Sequence, residues 1–129
     1  MYYSFYRRVQ DAVVPLWNKN VNEYVNEHPD VRKRLSSKEY VTELEIVISA
    51  TGDLVKTIVN RSCGVAGIDQ AAGAAFVQST PFENPPSGMI GDDGVIVMHW
   101  RFVVSVVEQL KYRIEEVSPF YKDDGWPDL

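Results

Sequence analysis

A change in the spacing of apolar residues at Glu39 constrains the fold of this chain more than any other feature. Leu44, Ile46 and Ile48 recur at every second position and alternate with Glu43, Glu45 and Ser49, and a period of two is typical of a strand with one buried face. Residues 51–53, Thr-Gly-Asp, predict a turn, and residues 54–61 alternate again. Two alternating runs joined by a short link predict an antiparallel hairpin, so the chain must build its core on a sheet.

A third strand is predicted from Val95 to about Val106, a long apolar run whose side chains would point to the two faces of the sheet in turn. Its core face would carry Ile96, Met98, Trp100, Phe102 and Val104. A predicted helix over residues 68–78 and a stiff proline-containing connector over residues 79–88 separate this strand from the hairpin. This connection can return the third strand beside the first, at the edge of a sheet with strand order 2-1-3.

Helical spacing marks both ends of the chain. A helix is predicted from Ser4 to Trp17, with Pro15 expected to kink or stop it. Val21, Tyr24, Val25 and His28 also repeat at helical spacing, and Pro29 could begin a further helical turn. Near the other end, Val107, Leu110, Ile114 and Val117 are spaced by three, four and three residues, which predicts a final helix.

The expected fold class is α+β. We expect a three-stranded antiparallel or mixed sheet of order 2-1-3, packed against two helices, with an extra C-terminal helix. The main domain is expected over residues 1–106, and a helical extension and tail over residues 107–129.

Composition limits the classes of function. The 129 residues, 45% of them apolar, suffice for one domain with one core. The net charge of −5 argues against a nucleic-acid-binding surface, which usually carries a basic patch. The short basic cluster at residues 32–34 is interpreted as a solvated face.

Residues that could carry catalysis are sparse. Cys63 and His99 could form a nucleophile and its base, but no local motif joins a loop cysteine to a histidine in the middle of a strand. The histidines and the cysteine lack metal-ligand spacing, and no phosphate-binding loop occurs. The sequence therefore indicates a protein that is not an enzyme and needs no metal or cofactor. A small enzyme centred on Cys63 is the alternative from another class.

Several short motifs follow one another along the middle of the chain: a glycine in the hairpin turn, a small-residue loop, an Asp-x-Ala-Ala helix and a proline-rich connector. The residues that carry them are Gly52, Ser62, Gly64, Asp69, Ala72, Pro81, Phe82, Pro85 and Pro86. In this order and spacing they resemble the C-terminal domain of the TonB family of energy transducers, with the C-terminal domain of TolA as a more distant relative. The Tyr-Pro pair that usually precedes the family's first helix is absent.

The resemblance implies a periplasmic domain at the end of an inner-membrane anchor and a proline-rich spacer. It also implies coupling of a proton-driven motor of the ExbB and ExbD type to an outer-membrane receptor or another envelope protein. The implied mode of binding is strand addition, in which a short partner segment pairs with the edge of the last strand. The candidate partner-binding residues, on the face of strand three opposite the core, are Val95, Val97, His99, Arg101 and Val103.

Three alternatives stay open for the sequence alone. The domain could serve a TolA-like envelope-integrity or motility complex. The edge of strand three could pair with a second copy and form a homodimer. The predicted terminal helix could cover that edge, with Val97 and Val103 beneath it.

Overall fold

The structure is a computed structural model that describes residues 2–36, 38–106 and 110–116. Its elements along the chain are α1 (Tyr3–Glu27), α2 (Pro29–Arg34), β1 (Glu39–Ser49), β2 (Leu54–Arg61), α3 (Ala66–Ser79), a 3-10 turn (Ser87–Met89), β3 (Val95–Val106) and β4 (Leu110–Glu116). The strands form one sheet in the order β2-β1-β3-β4, and each neighbouring pair is antiparallel. The predicted α+β class, the hairpin and the position of β3 beside β1 are confirmed.

One face of the sheet carries the core. The alternate apolar residues predicted for β1 and β3 are buried there, and Phe102 contacts Trp17 of α1 and Phe76 of α3. Helix α1 buries one residue every four positions, and this stripe belongs to the hydrophobic core. The stripe consists of Phe5, Val9, Val13, Trp17, Val21 and Val25, each at most 1% exposed. Both long helices therefore lie on one side of the sheet.

The sheet has four strands, and the prediction of three was wrong. The predicted final helix is also wrong for Leu110–Glu116, which forms β4 beside β3. Apolar residues at positions 110, 112 and 114 alternate with charged ones, so this segment fits the period of a strand as well as that of a helix. Pairing with β3 decides between the two periods, because packing on a neighbouring strand outweighs local propensity. Residues 107–109 and 117–129 of the predicted extension lie outside the described residues.

The first helix is longer than predicted. Pro15 lies inside α1, which continues to Glu27. A proline in a helix interior costs about 3 kcal/mol, but the buried stripe continues through Trp17, Val21 and Val25. Burial of three such side chains contributes more than the proline costs. The expected start of α2 at Pro29 is confirmed.

The proline connector is held against the hairpin turn at one end of the sheet. Phe82 is 6% exposed, and its N–H donates to the carbonyl oxygen of Gly52 at 3.0 Å. Arg8 of α1 donates to the carbonyl oxygens of Glu83 and Asn84 at 2.7 and 3.1 Å. The connector thereby closes this end of the core before the chain enters β3.

Candidate functional site

Among the described residues, the outer edge of β3 has a neighbouring strand over only part of its length. On one side, β1 pairs with β3 from Val95 to Ser105. On the other side, β4 pairs with it from Trp100 to Val106. Within the part of the chain that the structure describes, no residue pairs with Val95–His99 on the side away from β1, and we call Val95–His99 the open segment. The predicted edge position of β3 is wrong, because β3 lies between β1 and β4; among the described residues, only its open segment lacks a second neighbouring strand.

The backbone groups of the open segment face outwards at alternate residues. Ser49 of β1 uses its N–H and its carbonyl within the β1–β2 turn, at 2.8 and 2.9 Å, so these groups point towards β2. Ser49 lies opposite Val95, and in an antiparallel pair of this kind Val95 directs its own groups away from β1. The direction recurs at every second residue, so the N–H and C=O groups of Val97 and His99 also point out of the sheet.

The groups of Val95 are already engaged. Its carbonyl oxygen accepts a hydrogen bond from the Gly91 N–H at 2.9 Å, and its N–H donates to Asp93 Oδ1 at 3.3 Å. A further strand would therefore pair with Val97 and His99, whose outward groups have no partner among the described residues.

The side chains of the open segment offer one exposed apolar contact. Val97 is 43% exposed, whereas Val95 and His99 are half-buried. The Nε2 atom of His99 lies 3.2 Å from Glu45 Oε1, and its Nδ1 atom is buried without a hydrogen-bond partner in the described chain. A partner strand would meet an exposed valine and an imidazole that is already fixed in place.

The last two predicted binding residues, Arg101 and Val103, lie where β4 covers the edge. Val103 is fully buried. Arg101 donates from Nε to Glu43 and from Nη1 to Glu115, at 3.0 Å each, and these bonds raise the pKa of its guanidinium. Arg101 thus has its carboxylate partners within this chain.

An ionic ladder on the face opposite the helices was not predicted. It crosses all four strands through Arg61, Glu43, Arg101, Glu115, Arg113 and Glu39. Burial alone would raise the pKa of Glu115, but hydrogen bonds from Arg101 and Arg113 outweigh it and hold that pKa below its usual range. The alternating carboxylates of β1 were a visible signal, but their partners could be identified only once the strand register was known.

The opposite edge of the sheet, along β2, is a poorer template for an added strand. The register between β1 and β2 shifts twice, whereas that between β1 and β3 does not shift. Bulges and exposed lysines such as Lys56 are devices by which natural sheets discourage pairing at an edge. The exposed valines Val55 and Val59 therefore lie on an irregular edge, and the open segment is the more regular of the two.

Asp69, from the Asp-x-Ala-Ala motif, holds the loop between β2 and α3. Its carboxylate is 7% exposed and accepts hydrogen bonds from the Thr42 hydroxyl at 2.6 Å, the Cys63 N–H at 3.0 Å and the Ser62 hydroxyl. Burial alone would raise its pKa, but these hydrogen bonds outweigh it and keep the pKa below its usual range. Ser62 in turn accepts a bond from the Gly64 N–H at 3.0 Å. These motif residues have a structural role.

The other motif residues also support the fold. Ala72 of α3 is fully buried in the core. Pro81 is exposed, and Pro85 and Pro86 are half-buried. Gly52 contacts Phe82 at the end of β1 where Ser49 pairs with Val95. The turn and the connector therefore stabilise the end of the sheet at which the open segment begins.

The structure does not bring Cys63 and His99 together. Cys63 lies beside Asp69 and Thr42 on the face that carries the helices, whereas His99 contacts Glu45 on the opposite face. Burial raises the pKa of the Cys63 thiol, which disfavours the thiolate that a nucleophile requires. The described residues contain no group of three or more side chains arranged to hold a metal ion.

Comparison with known proteins identifies the family. A family model described as TonB C terminal matches residues 4–98, which include α1 from its second residue, the hairpin, α3 and the first four residues of the open segment. No curated protein and no solved structure matches this chain. None of the helices in the described ranges has both the length and the apolar character needed to cross a membrane. TonB C-terminal domains are periplasmic, non-enzymatic domains that act in protein interactions. The match covers most of the chain, and the protein belongs to the TonB C-terminal domain family.

Proposed function

We propose that the open segment of β3 binds an extended segment of an outer-membrane receptor, or of another envelope protein, as an added fifth strand. The observation that carries this proposal is the outward direction of the N–H and C=O groups of Val97 and His99, beyond the last pair between β3 and the described residues of β4. Strand addition satisfies such groups directly, and the side chains of the partner supply specificity.

The energetics limit what the backbone can contribute. Four hydrogen bonds to Val97 and His99 would stabilise a complex by roughly 2–6 kcal/mol in total. Association costs an estimated 4–15 kcal/mol in lost freedom of motion. Side-chain contacts must therefore contribute as well, and Val97, 43% exposed, is the apolar contact that the open segment provides.

The proposal places the domain in an energy-transducing chain. Family membership supports a role in transmitting proton-motive energy to an outer-membrane receptor, through an inner-membrane anchor and a motor of the ExbB and ExbD type. The same open segment could also pair with its copy in a second molecule. A homodimer of this kind would compete with the receptor segment for the same backbone groups.

Substitution of Val97 by proline tests the proposed mode of binding. Val97→Pro removes an outward N–H that bonds to no described residue, so the fold should persist while binding to receptor-derived peptides falls at least tenfold. Circular dichroism and thermal unfolding check the fold, and calorimetry measures the affinity.

Val97→Ala is the matched control, because it shortens the side chain but keeps the N–H. We expect it to weaken binding by only a few fold. If Val97→Pro binds as tightly as the unmodified chain, strand addition at β3 is wrong.

A further inference from the structure

The outer edge of β4 is a second row of backbone groups without a neighbouring strand. The groups of Val95 point away from β1, so those of Val103, eight positions later, point towards Arg113 on β4. Tyr112 and Ile114, on either side of Arg113, therefore direct their N–H and C=O groups out of the sheet. Within the described ranges, no strand pairs with this side of β4, and these four groups bond to no residue.

This edge is regular and held in place. Each of the seven residues of β4 has a partner on β3, without a register shift. Tyr112 packs on the Trp17 ring of α1 at 5.2 Å between ring centroids, and its hydroxyl donates to Asn22 Oδ1 at 2.6 Å. A regular edge is a good template for another strand, and natural sheets use charged side chains to discourage random pairing there. The charges of β4 therefore determine which strand can pair with it.

The charge pattern of β4 fits an antiparallel copy of itself. With a two-fold axis at Ile114, Arg113 of each copy lies opposite Glu115 of the other copy. With the axis at Tyr112, Lys111 would lie opposite Arg113, a pair of like charges. With the axis at Arg113, two guanidinium groups would meet, although Lys111 would then lie opposite Glu115. Of these three registers, the one centred on Ile114 places only opposite charges side by side, which stabilises neighbouring strands.

The two charged side chains of this register can accept further contacts. Arg113 is 51% exposed and donates from Nε to Glu115 at 2.9 Å and from Nη1 to Glu39 at 3.3 Å. Its Nη2 group bonds to no described residue, and each carboxylate oxygen of Glu115 can accept a second hydrogen bond. The ionic ladder thus reaches the outer edge of β4 with donors and acceptors to spare.

We propose that the outer edge of β4 pairs with that of a second copy of this chain, antiparallel and with the two-fold axis at Ile114. The contact joins two four-stranded sheets into one sheet of eight strands. Each Ile114 N–H donates to the Ile114 carbonyl oxygen of the other copy, and the backbone of Tyr112 pairs with that of Glu116. The interface uses neither Val97 nor His99, so it differs from self-pairing at the open segment and does not rest on the proposed function.

Sedimentation equilibrium of the full chain tests the association. Because a few hydrogen bonds and side-chain pairs must offset the cost of association, we expect a dissociation constant on the order of 0.1 mM at low salt. The affinity should fall as salt rises, because the ion pairs are partly exposed. A full chain that stays monomeric at about 1 mM would overturn the proposal.

The register is measured by nuclear magnetic resonance on a mixture of labelled and unlabelled chains. Arg113 and Glu115 of the two copies form a pair without backbone hydrogen bonds, in which the Cα atoms of an antiparallel sheet come closest. We therefore expect an intermolecular nuclear Overhauser effect between their α-hydrogens. A dimer without this signal would contradict pairing at Ile114.

Two proline variants separate the two edges. Ile114→Pro removes an outward N–H from each copy, which pairing with β3 does not use, and should raise the dissociation constant of the dimer at least tenfold. It should still bind receptor-derived peptides at the open segment. Val97→Pro should leave the dimer unchanged. Loss of the dimer in Val97→Pro, with its retention in Ile114→Pro, would place the second copy at the open segment and contradict the proposal.

Two glutamine variants test the charges without altering the backbone. Arg113→Gln removes both intermolecular ion pairs and should weaken the dimer about two- to tenfold. Arg61→Gln is the matched control, because Arg61 is 59% exposed, lies 3.8 Å from Glu43 at the other end of the ionic ladder and should not affect the dimer. Equal losses in the two variants would show that only net charge matters, and an unchanged dimer in Arg113→Gln would rule out this register.

Discussion

Gly52 fixes the contact between the hairpin turn and the proline connector. Its φ of +89° lies in the left-handed region, and a Cβ atom there would overlap the carbonyl oxygen of Phe82. Gly64 has a similar φ of +93°, but nothing lies within 4 Å of the position of its Cβ. Both glycines therefore need a positive φ, but only Gly52 lies against another residue.

This difference allows a matched prediction. Gly64→Ala should lower the free energy of unfolding by about 1–2 kcal/mol, the cost of placing a side chain in the left-handed region. Gly52→Ala should cost about 1–3 kcal/mol more, because the overlap with Phe82 adds to that strain. Urea unfolding measures both values. Equal costs would mean that the connector does not pack on Gly52 as described.

Asp69 should make the stability depend on pH. Its pKa is lowered in the folded state, so its stabilising contribution is complete above about pH 5 and is lost as the pH falls through the folded-state pKa. Asp69→Asn should therefore be less stable than the unmodified chain at pH 7, by about 1–3 kcal/mol. The difference should shrink towards pH 3.

Urea unfolding at the two pH values measures this change. The control is Asp92→Asn, since Asp92 is exposed and its side chain makes no hydrogen bond with the described residues. A deficit for Asp69→Asn that stays the same at pH 7 and pH 3 would contradict the assigned role of its charge.

Among the elements, β4 determines how much of β3 stays open. Two features hold it in place: Tyr112 packs on Trp17 of α1 at 5.2 Å between ring centroids, and Glu115 bonds to Arg101 of β3. Burial raises the pKa of Tyr112 to about 12. Its hydroxyl donates to Asn22 Oδ1 at 2.6 Å, so β4 is attached to the helical layer as well as to the sheet.

Glu115→Gln tests the ionic contribution to β4. The variant weakens the bonds to Arg101 and Arg113, and because these side chains are partly exposed we expect a cost of only about 0.5 kcal/mol. Amide exchange in β4 should become about twofold faster, and the effect should diminish at high salt. Glu83→Gln is the control, because that side chain is exposed and makes no ion pair in the described chain. Unchanged exchange in Glu115→Gln would show that the ladder does not stabilise β4.

The sequence was sufficient to predict the first three strands and the core face of β3, because their alternation is long and allows one interpretation. It was insufficient for β4, where Val107, Leu110, Ile114 and Val117 also fit the spacing of a helix. The end of α1 was predicted too early for a related reason. The cost of Pro15 in a helix can be judged from the local sequence, whereas the burial that compensates for this cost depends on tertiary packing. The partners of Arg101 depend on register between strands distant in sequence, which one sequence does not reveal.

At the scale of the whole molecule, the proposed binding edge lies at the end of the sheet that the hairpin turn and the connector hold together. The open segment of β3 offers backbone groups there and begins opposite Ser49, beside that turn. The helices cover one face of the sheet, and the ionic ladder occupies the other. On the β4 side of the sheet, both the outer edge of β4 and the open segment of β3 present backbone groups, and the proposal assigns the added strand to Val97 and His99.

Amide hydrogen exchange at Val97 tests this conclusion most directly, with Met98 as the internal reference. The N–H of Met98 points towards β1 and should exchange slowly in the free protein, whereas the N–H of Val97 should exchange quickly. When a receptor segment binds, Val97 should become at least tenfold more protected while Met98 changes little. Equal protection of Val97 and Met98 in the free protein, or no change at Val97 on binding, would contradict strand addition at this edge.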